Sequence, residues 1–167
     1  LENVPGLVSL DQGKTLNDIV FAFEEAGYRV IYKILNAAHY GVPEERWRLF
    51  ILGTRLEDIA LSFPEPTHYS IRRVNFTGGR DFTFKYAVGQ PDTKGLCPSD
   101  LLSPTTVNQA ISDLPAIESK GGVAVCNYVD PPKSTFQQAM RRNSKSILNH
   151  QCNGVQPINL ERLKHIP

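Results

Sequence analysis

Tyr28-Arg29-Val30-Ile31-Tyr32-Lys33-Ile34-Leu35 and Trp47-Arg48-Leu49-Phe50-Ile51-Leu52-Gly53 are the two stretches on which the fold reading turns. Both are rich in β-branched and aromatic residues, so both predict strands. Between them, residues 36–46 (NAAHYGVPEER) contain Gly41 and Pro43 and read as a loop. Upstream, Leu16, Ile19, Val20 and Phe23 recur at i, i+3, i+4 and i+7. That spacing predicts one face of a helix opened by Gly13-Lys14-Thr15, with Thr15 as N-cap and Gly27 as the stop. Helix, strand, loop, strand indicates an α/β sheet with covered faces. The two consecutive strands can pair antiparallel through the loop, a variation found at sheet edges.

Beyond Gly53 the character changes. Phe63-Pro64-Glu65-Pro66-Thr67 is a rigid, non-helical connector. Residues 68–90, around Thr77-Gly78-Gly79-Arg80, suggest a hairpin or irregular ribbon, and 91–104 read as loop. A short helix is expected from Val107 to Leu114, started by Thr105 or Thr106 and stopped before Pro115. A strand is expected at Val123–Val125, with helices over Ser134–Arg142 and Ile158–Lys164. The chain contains no internal repeat and no low-complexity tract.

The composition sets outer bounds. The 167 residues are 41 % hydrophobic and 21 % charged, enough apolar surface to bury a core. No apolar run reaches ~18 residues, and the N-terminal stretch has neither a basic flank nor a long apolar segment, so neither a membrane span nor a signal peptide is expected. Cys97, Cys126 and Cys152 are an odd, sparse set, read as ordinary reduced thiols, with no spacing for a metal site. Net charge is +1, but residues 1–100 carry 11 basic against 13 acidic side chains, and residues 101–167 carry 7 against 4. A solvated face accounts for that asymmetry as well as a nucleic-acid surface does.

Three stretches carry chemistry. In Leu1-Glu2-Asn3-Val4-Pro5-Gly6 a carboxylate and a carboxamide stand where a chain leaves a strand, the place where open α/β sheets bind ligands. In Tyr40-Gly41-Val42-Pro43-Glu44-Glu45-Arg46-Trp47-Arg48, two arginines two residues apart at the start of a strand are expected on one face. The apolar run that follows reads as a buried strand, in which an arginine requires an anionic or polar partner. The third stretch, Thr106-Val107-Asn108-Gln109-Ala110-Ile111-Ser112-Asp113-Leu114-Pro115, is a short helix with a proline stop.

In this order and spacing the stretches resemble the C5 cytosine DNA methyltransferase family. Glu2-Asn3-Val4 is similar to the family's Glu-Asn-Val motif, and Tyr40-Gly41-Val42-Pro43 leading into Arg46-x-Arg48 to its Gln-x-Arg-x-Arg motif. Val107 to Pro115 is close to the family's Ala-Ile-x-Asp-Leu-Pro. Leu148-Asn149-His150 and Glu161-Arg162-Leu163-Lys164-His165-Ile166-Pro167 resemble the approach to its target-recognition region.

The resemblance implies the second half of a Rossmann-like S-adenosylmethionine-dependent methyltransferase sheet, followed by an irregular α+β start of the recognition region. The implied division is 1–63 for the catalytic half-sheet, 64–104 for a connector or ribbon, and 105–167 for a helix-containing lead into recognition. The implied reaction adds a cysteine thiolate to C6 of a flipped cytosine in duplex DNA, transfers a methyl group from S-adenosylmethionine to C5, and eliminates. Addition drives negative charge onto N3 and O2, so a donor at N3 and a cation at O2 stabilise the transition state. The resemblance gives Glu2 the N3 contact, which requires a carboxyl that holds or shares a proton near neutral pH. It gives Asn3 an orienting role, Arg48 the O2 contact, and Arg46 a neighbouring positioning contact.

Glu44 stands where the family has Gln, replacing a donor and acceptor by an acceptor that can pair with Arg46 or Arg48. The family's Pro-Cys nucleophile and Gly-rich cofactor loop lie upstream of Glu-Asn-Val. The chain opens on Leu1, so it is expected to be a piece of a longer enzyme and inactive alone, with no cofactor-binding residue of its own. None of its three cysteines is a candidate nucleophile. Arg72, Arg73, Arg80 and Lys85 form one candidate phosphate-contacting cluster, and Arg141, Arg142 and Lys145 a second. Ordinary solvated charge is the competing reading of both, and Phe76, Phe82, Phe84 and Tyr86 read as a small core. Expected partners are double-stranded DNA and the remaining parts of the enzyme, in a protein monomeric at full length and without a membrane. Bacterial cytoplasm is the preferred location, with a nucleus as the alternative. A non-catalytic remnant or regulatory DNA-binding protein of the same lineage, and an enzyme applying the same chemistry to RNA, stay open as alternatives.

Overall fold

The computed structural model describes residues 1–69 and 101–165. The chain divides into two compact units, Leu1–Thr106 and Val107–Pro167. Among the described residues no helix is long and apolar enough to cross a membrane.

In the first unit the helix–strand–loop–strand order is present. A two-residue strand β1 (Glu2–Asn3) precedes helix α1 (Lys14–Glu25), strand β2 (Arg29–Asn36) and strand β3 (Trp47–Thr54). The sheet order is β1-β3-β2, and β3 runs antiparallel to both neighbours. β1 and β2 therefore run in the same direction, with α1 between them in the chain. The central place of β3 explains its unbroken apolar run, since both its edges are paired and one face is covered. Trp47, Leu49 and Ile51 point to that covered face, and the register sets Leu49 opposite Ile34 and Ile51 opposite Tyr32. Leu16 from α1 and Leu7 and Val8 from the 3-10 turn Pro5–Val8 complete the cluster. Ile34 and Leu49 are fully enclosed, each burial worth about 1.5–3 kcal/mol.

The ends of α1 differ in how they follow the sequence. Gly27, at φ 83°, is the stop. Its N–H reaches the Glu24 carbonyl at 2.8 Å and that of Tyr28 reaches Phe23 at 3.0 Å, a Schellman closure. The expected cap Thr15 lies inside the helix instead. Gly13, at φ 88°, is the N-cap, and the Thr15 hydroxyl donates back to Asp11 Oδ2 at 2.9 Å. The turn before it places Asp11 and Gln12 in the left-handed region at φ 48° and 58°, so the chain enters the helix too sharply for a side-chain cap.

The loop between β2 and β3 opens with a 3-10 turn over Ala37–Tyr40 and reverses at Gly41, φ 81°. A Cβ on Gly41 would come within 2.8 Å of the His68 ring, so glycine suits both the conformation and the contact. The connector lies over this turn: the N–H groups of Thr67 and His68 both donate to the His39 carbonyl, at 2.9 and 3.0 Å. Arg29 Nη2 donates to the carbonyls of Leu56, Glu57 and Ile59 and pins the chain that leaves β3.

The second unit contains α2 (Val107–Ile111), β4 (Gly122–Cys126), α3 (Thr135–Arg141), β5 (Ile147–Gln151) and α4 (Pro157–Leu163). Helix α2 is shorter than the expected Val107–Leu114. Leu114 closes on Ile111, while Ser112 and Asp113 turn their side chains toward α3. Ser134 caps α3 by accepting from the Gln137 N–H at 3.1 Å, and Pro157 opens α4. β5 had no counterpart among the expected strands; it pairs antiparallel with β4, Val125 opposite Leu148 and Val123 opposite His150.

Candidate active site

The sheet register brings the first two chemical stretches together. Glu2 sits opposite Phe50 in β3, and Arg48, two residues earlier on β3, projects to the same face. A diagonal neighbour on an adjacent strand is within reach of a long side chain. Arg48 Nε meets Glu2 Oε1 at 2.8 Å. Arg48 Nη1 also donates to the Trp47 carbonyl at 2.7 Å, which fixes the plane of the guanidinium. The pair joins residues 46 positions apart in the chain. Arg48 is 24 % exposed and Glu2 49 %, so one side of the pair faces solvent.

The other site candidates lie around it. Asn3 accepts the Val4 N–H on Oδ1 at 2.8 Å, which turns the chain out of β1 toward Pro5. Arg46 stands just before β3 and is drawn to Glu44, Nη1 to Oε1 at 3.7 Å, with both side chains about half exposed. The glutamate that replaces the family's glutamine thus pairs with Arg46, and Arg48 pairs with Glu2. Sequence reasoning passed over Asn36, which the structure buries completely at the end of β2. Its Oδ1 accepts from the Ala38 N–H at 3.2 Å and the Arg46 N–H at 3.1 Å, and its Nδ2 donates to Glu45 Oε2 at 2.5 Å. An asparagine closing an apolar strand ahead of a glycine-containing loop is the sequence signal for such a cap.

In the second unit Arg141 is largely enclosed. Its guanidinium pairs with the buried Asp113 carboxylate, donates to the Asp130 carbonyl at 2.8 Å, and lies 3.7 Å over the Tyr128 ring. Those contacts commit it to holding α3, and this separates it from its exposed neighbours Arg142 and Lys145. Arg72, Arg73, Arg80, Lys85 and Cys97, with the ribbon expected around Gly78-Gly79, lie outside the described residues. Cys126 and Cys152 are free, partly buried thiols.

The family model for C-5 cytosine-specific DNA methylases matches residues 1–155. The chain belongs to that family. It is 32 % identical over 170 residues to DNA (cytosine-5)-methyltransferase 1A of rice, with all of this chain and 11 % of the relative covered. It is 32 % identical over 165 residues to the type II methyltransferase M.AgeI of Thalassovita gelatinovora, covering 98 % of this chain and 36 % of the relative. Over 69 residues, 40 % of this chain and 16 % of the relative, identity to M.BsuRI of Bacillus subtilis reaches 49 %. The chain therefore spans between about a tenth and about a third of the length of the two relatives it matches end to end.

A cavity of about 500 Å³ is lined by Ile31, Tyr32, Lys33, Ser62, Phe63 and Glu65. It shares no lining residue with the Glu2–Arg48 pair, although Lys33 lies opposite Phe50, which in turn lies opposite Glu2.

Proposed function

We propose that this chain is part of a DNA cytosine-5 methyltransferase and supplies the side chains that absorb charge on the cytosine ring. The observation that carries the reading is the 2.8 Å approach of Arg48 to Glu2 across two paired strands. Nucleophilic addition at C6 sends electron density to N3 and O2, which lie on one edge of the ring. A carboxyl and a guanidinium side by side match that edge. Parted from Arg48 by the base edge, Glu2 takes up or shares a proton with N3 and so contacts it, and Arg48, whose cation is permanent, meets O2. An ion pair this exposed is worth about 0–1 kcal/mol, so a base edge can part the two groups at little cost. Asn3 holds the turn that presents Glu2, and Arg46 positions the strand entrance beside Arg48.

The three-stranded sheet is, in this reading, the second half of a Rossmann-like sheet spanning residues 1–63. Residues 64–104 connect it to a lead into target recognition at 105–167. The nucleophilic cysteine and the S-adenosylmethionine site belong to other parts of the protein, which is monomeric and acts on double-stranded DNA. Arg142 contacts phosphate, with Arg141 holding the helix that presents it. Arg72, Arg73, Arg80 and Lys85 form a second phosphate-contacting set on the strength of their charge.

In the intact protein, Glu2→Gln and Arg48→Ala are each expected to slow methyl transfer to duplex DNA by at least ~100-fold, comparable to removing one oxyanion donor. Tritium transfer from labelled S-adenosylmethionine measures it. Near wild-type rates in both variants reject the assignment.

A further inference from the structure

We propose that Asn36 and Glu45 form a latch that sets the reach of Arg46 and Arg48, which makes Asn36 a positioning residue for the reaction proposed above. The inference rests on that reading of Arg48 and deepens it.

Asn36 is the last residue of β2 and lies opposite Trp47, the first residue of β3. The ten residues between them form the loop that delivers Arg46 and then Arg48 to the sheet. One backbone bond closes its base, from the Ala37 N–H to the Arg46 carbonyl at 3.0 Å. The Asn36 side chain adds further closures. Its oxygen takes one N–H from each arm of the loop, Ala38 and Arg46, and its amide nitrogen takes a carboxylate oxygen of Glu45. Two N–H donors on one end and a carboxylate on the other permit a single orientation of the amide.

The side chain is fully enclosed, so a bond lost there is not replaced by water. The Arg46 N–H anchored by Asn36 is two residues from the Arg48 guanidinium that meets Glu2. A slackened base lets the entrance of β3 shift, and a displacement of about 1 Å at a reacting group can cost ~100-fold in rate.

The substitution that isolates the latch is Asn36→Asp. It keeps the shape and the oxygen that accepts both N–H groups, but it sets a second carboxylate against Glu45. Two adjacent carboxylates share a proton as pH falls, and the shared proton restores the missing donor. In the intact protein Asn36→Asp is expected to lower kcat by about 10- to 100-fold at pH 8, with KM for S-adenosylmethionine unchanged. The deficit narrows as pH is lowered from about 8 to about 5.5. Adding Glu45→Gln returns a donor from the opposite side of the bond, so N36D/E45Q recovers most of kcat and loses the extra pH dependence. A part that merely stabilised the fold would lower the active fraction without bending the pH profile.

Asn36→Asp at wild-type kcat across the range overturns the latch, as does a pH-independent deficit that Glu45→Gln leaves in place. If Asn36→Asp does not fold, Glu45→Ala on the exposed side of the same bond takes its place. A several-fold fall in kcat supports the latch, and a wild-type kcat overturns it. A wild-type protein that transfers no methyl group to duplex DNA fails differently, because it removes the reading on which the latch rests.

Discussion

The first unit and the second are held by different forces. Around β3, seven buried apolar side chains from four elements meet on one face of a sheet: Leu7, Val8, Leu16, Ile34, Trp47, Leu49 and Ile51. In residues 107–165 the buried side chains are Asp113, Gln137 and Ile147. There an acid and an arginine do the work that leucine and isoleucine do in the sheet. Gln137 shows how: its amide nitrogen donates to Ser112 at 3.0 Å and its oxygen accepts from the Lys133 N–H at 2.5 Å. Most of the large apolar side chains of this unit stay outside its interior. Val123, Val125, Val129, Met140 and Leu148 are all more than half exposed.

The sharpest way to break the contrast is to remove one charge from the polar core. Asp113→Ala leaves the Arg141 guanidinium enclosed without its counter-ion and is expected to cost about 3–5 kcal/mol. Loss of hydrogen-exchange protection at the amides of α3 measures it. The double substitution Asp113→Leu with Arg141→Met removes both charges together and is expected to cost less than Asp113→Ala alone. A double variant as damaged as the single one would mean that shape, and not charge pairing, holds α3.

Leu49→Ala is the matching cut in the apolar core. Leu49 is fully enclosed at the centre of the sheet, opposite Ile34, and its truncation is expected to cost about 3 kcal/mol, within the range for buried leucines. Denaturant unfolding followed by Trp47 fluorescence reads it directly. A loss below about 1 kcal/mol would show that the sheet collapses around the gap.

The same contrast explains what was legible in the sequence. β2 and β3 could be read because a strand buried on its covered face announces itself in a run such as Leu49-Phe50-Ile51-Leu52. α1 could be read from Leu16, Ile19, Val20 and Phe23, and its end from Gly27. Thr15 misled because a hydroxyl beside a helix start suggests a cap, whereas the geometry was decided by left-handed Asp11, Gln12 and Gly13. β5 left little trace, since it buries Ile147 and exposes Leu148 and Asn149, with Asn149 at φ 56°. At the candidate site, the family resemblance points to Glu2 and Arg48, and their contact comes from strand register, which no local pattern contains. Arg141 read as a surface cation because sequence shows a charge and not its partner. Asn36 carries only a local cap signal in the sequence, and the burial that makes it consequential is visible only in the fold.

The smallest expected effect lies at the edge of the polar core and tests whether its outer pair contributes at all. The Asp130 carboxylate accepts from Lys133 Nζ at 2.8 Å, while the Asp130 backbone carbonyl serves Arg141. The hydrogen bond from Lys133, and then its charge with that of Arg141, hold the Asp130 carboxyl below the ordinary value of 3.8. The folded state thus favours the carboxylate more than the unfolded chain does. Its contribution to stability is complete above the unfolded value and is lost as pH falls through the lower folded value. Asp130→Asn keeps the backbone carbonyl and removes only the titrating group. Urea unfolding across a pH series is expected to show a small, constant deficit for Asp130→Asn above about pH 5 that begins to shrink below about pH 4 and closes once pH is under the lower folded value. Salt should shrink that deficit, since both members of the pair are half exposed. A deficit unchanged at low pH would assign the effect to packing, and no deficit at any pH would leave the Asp113–Arg141 pair to carry the polar core without help from its rim.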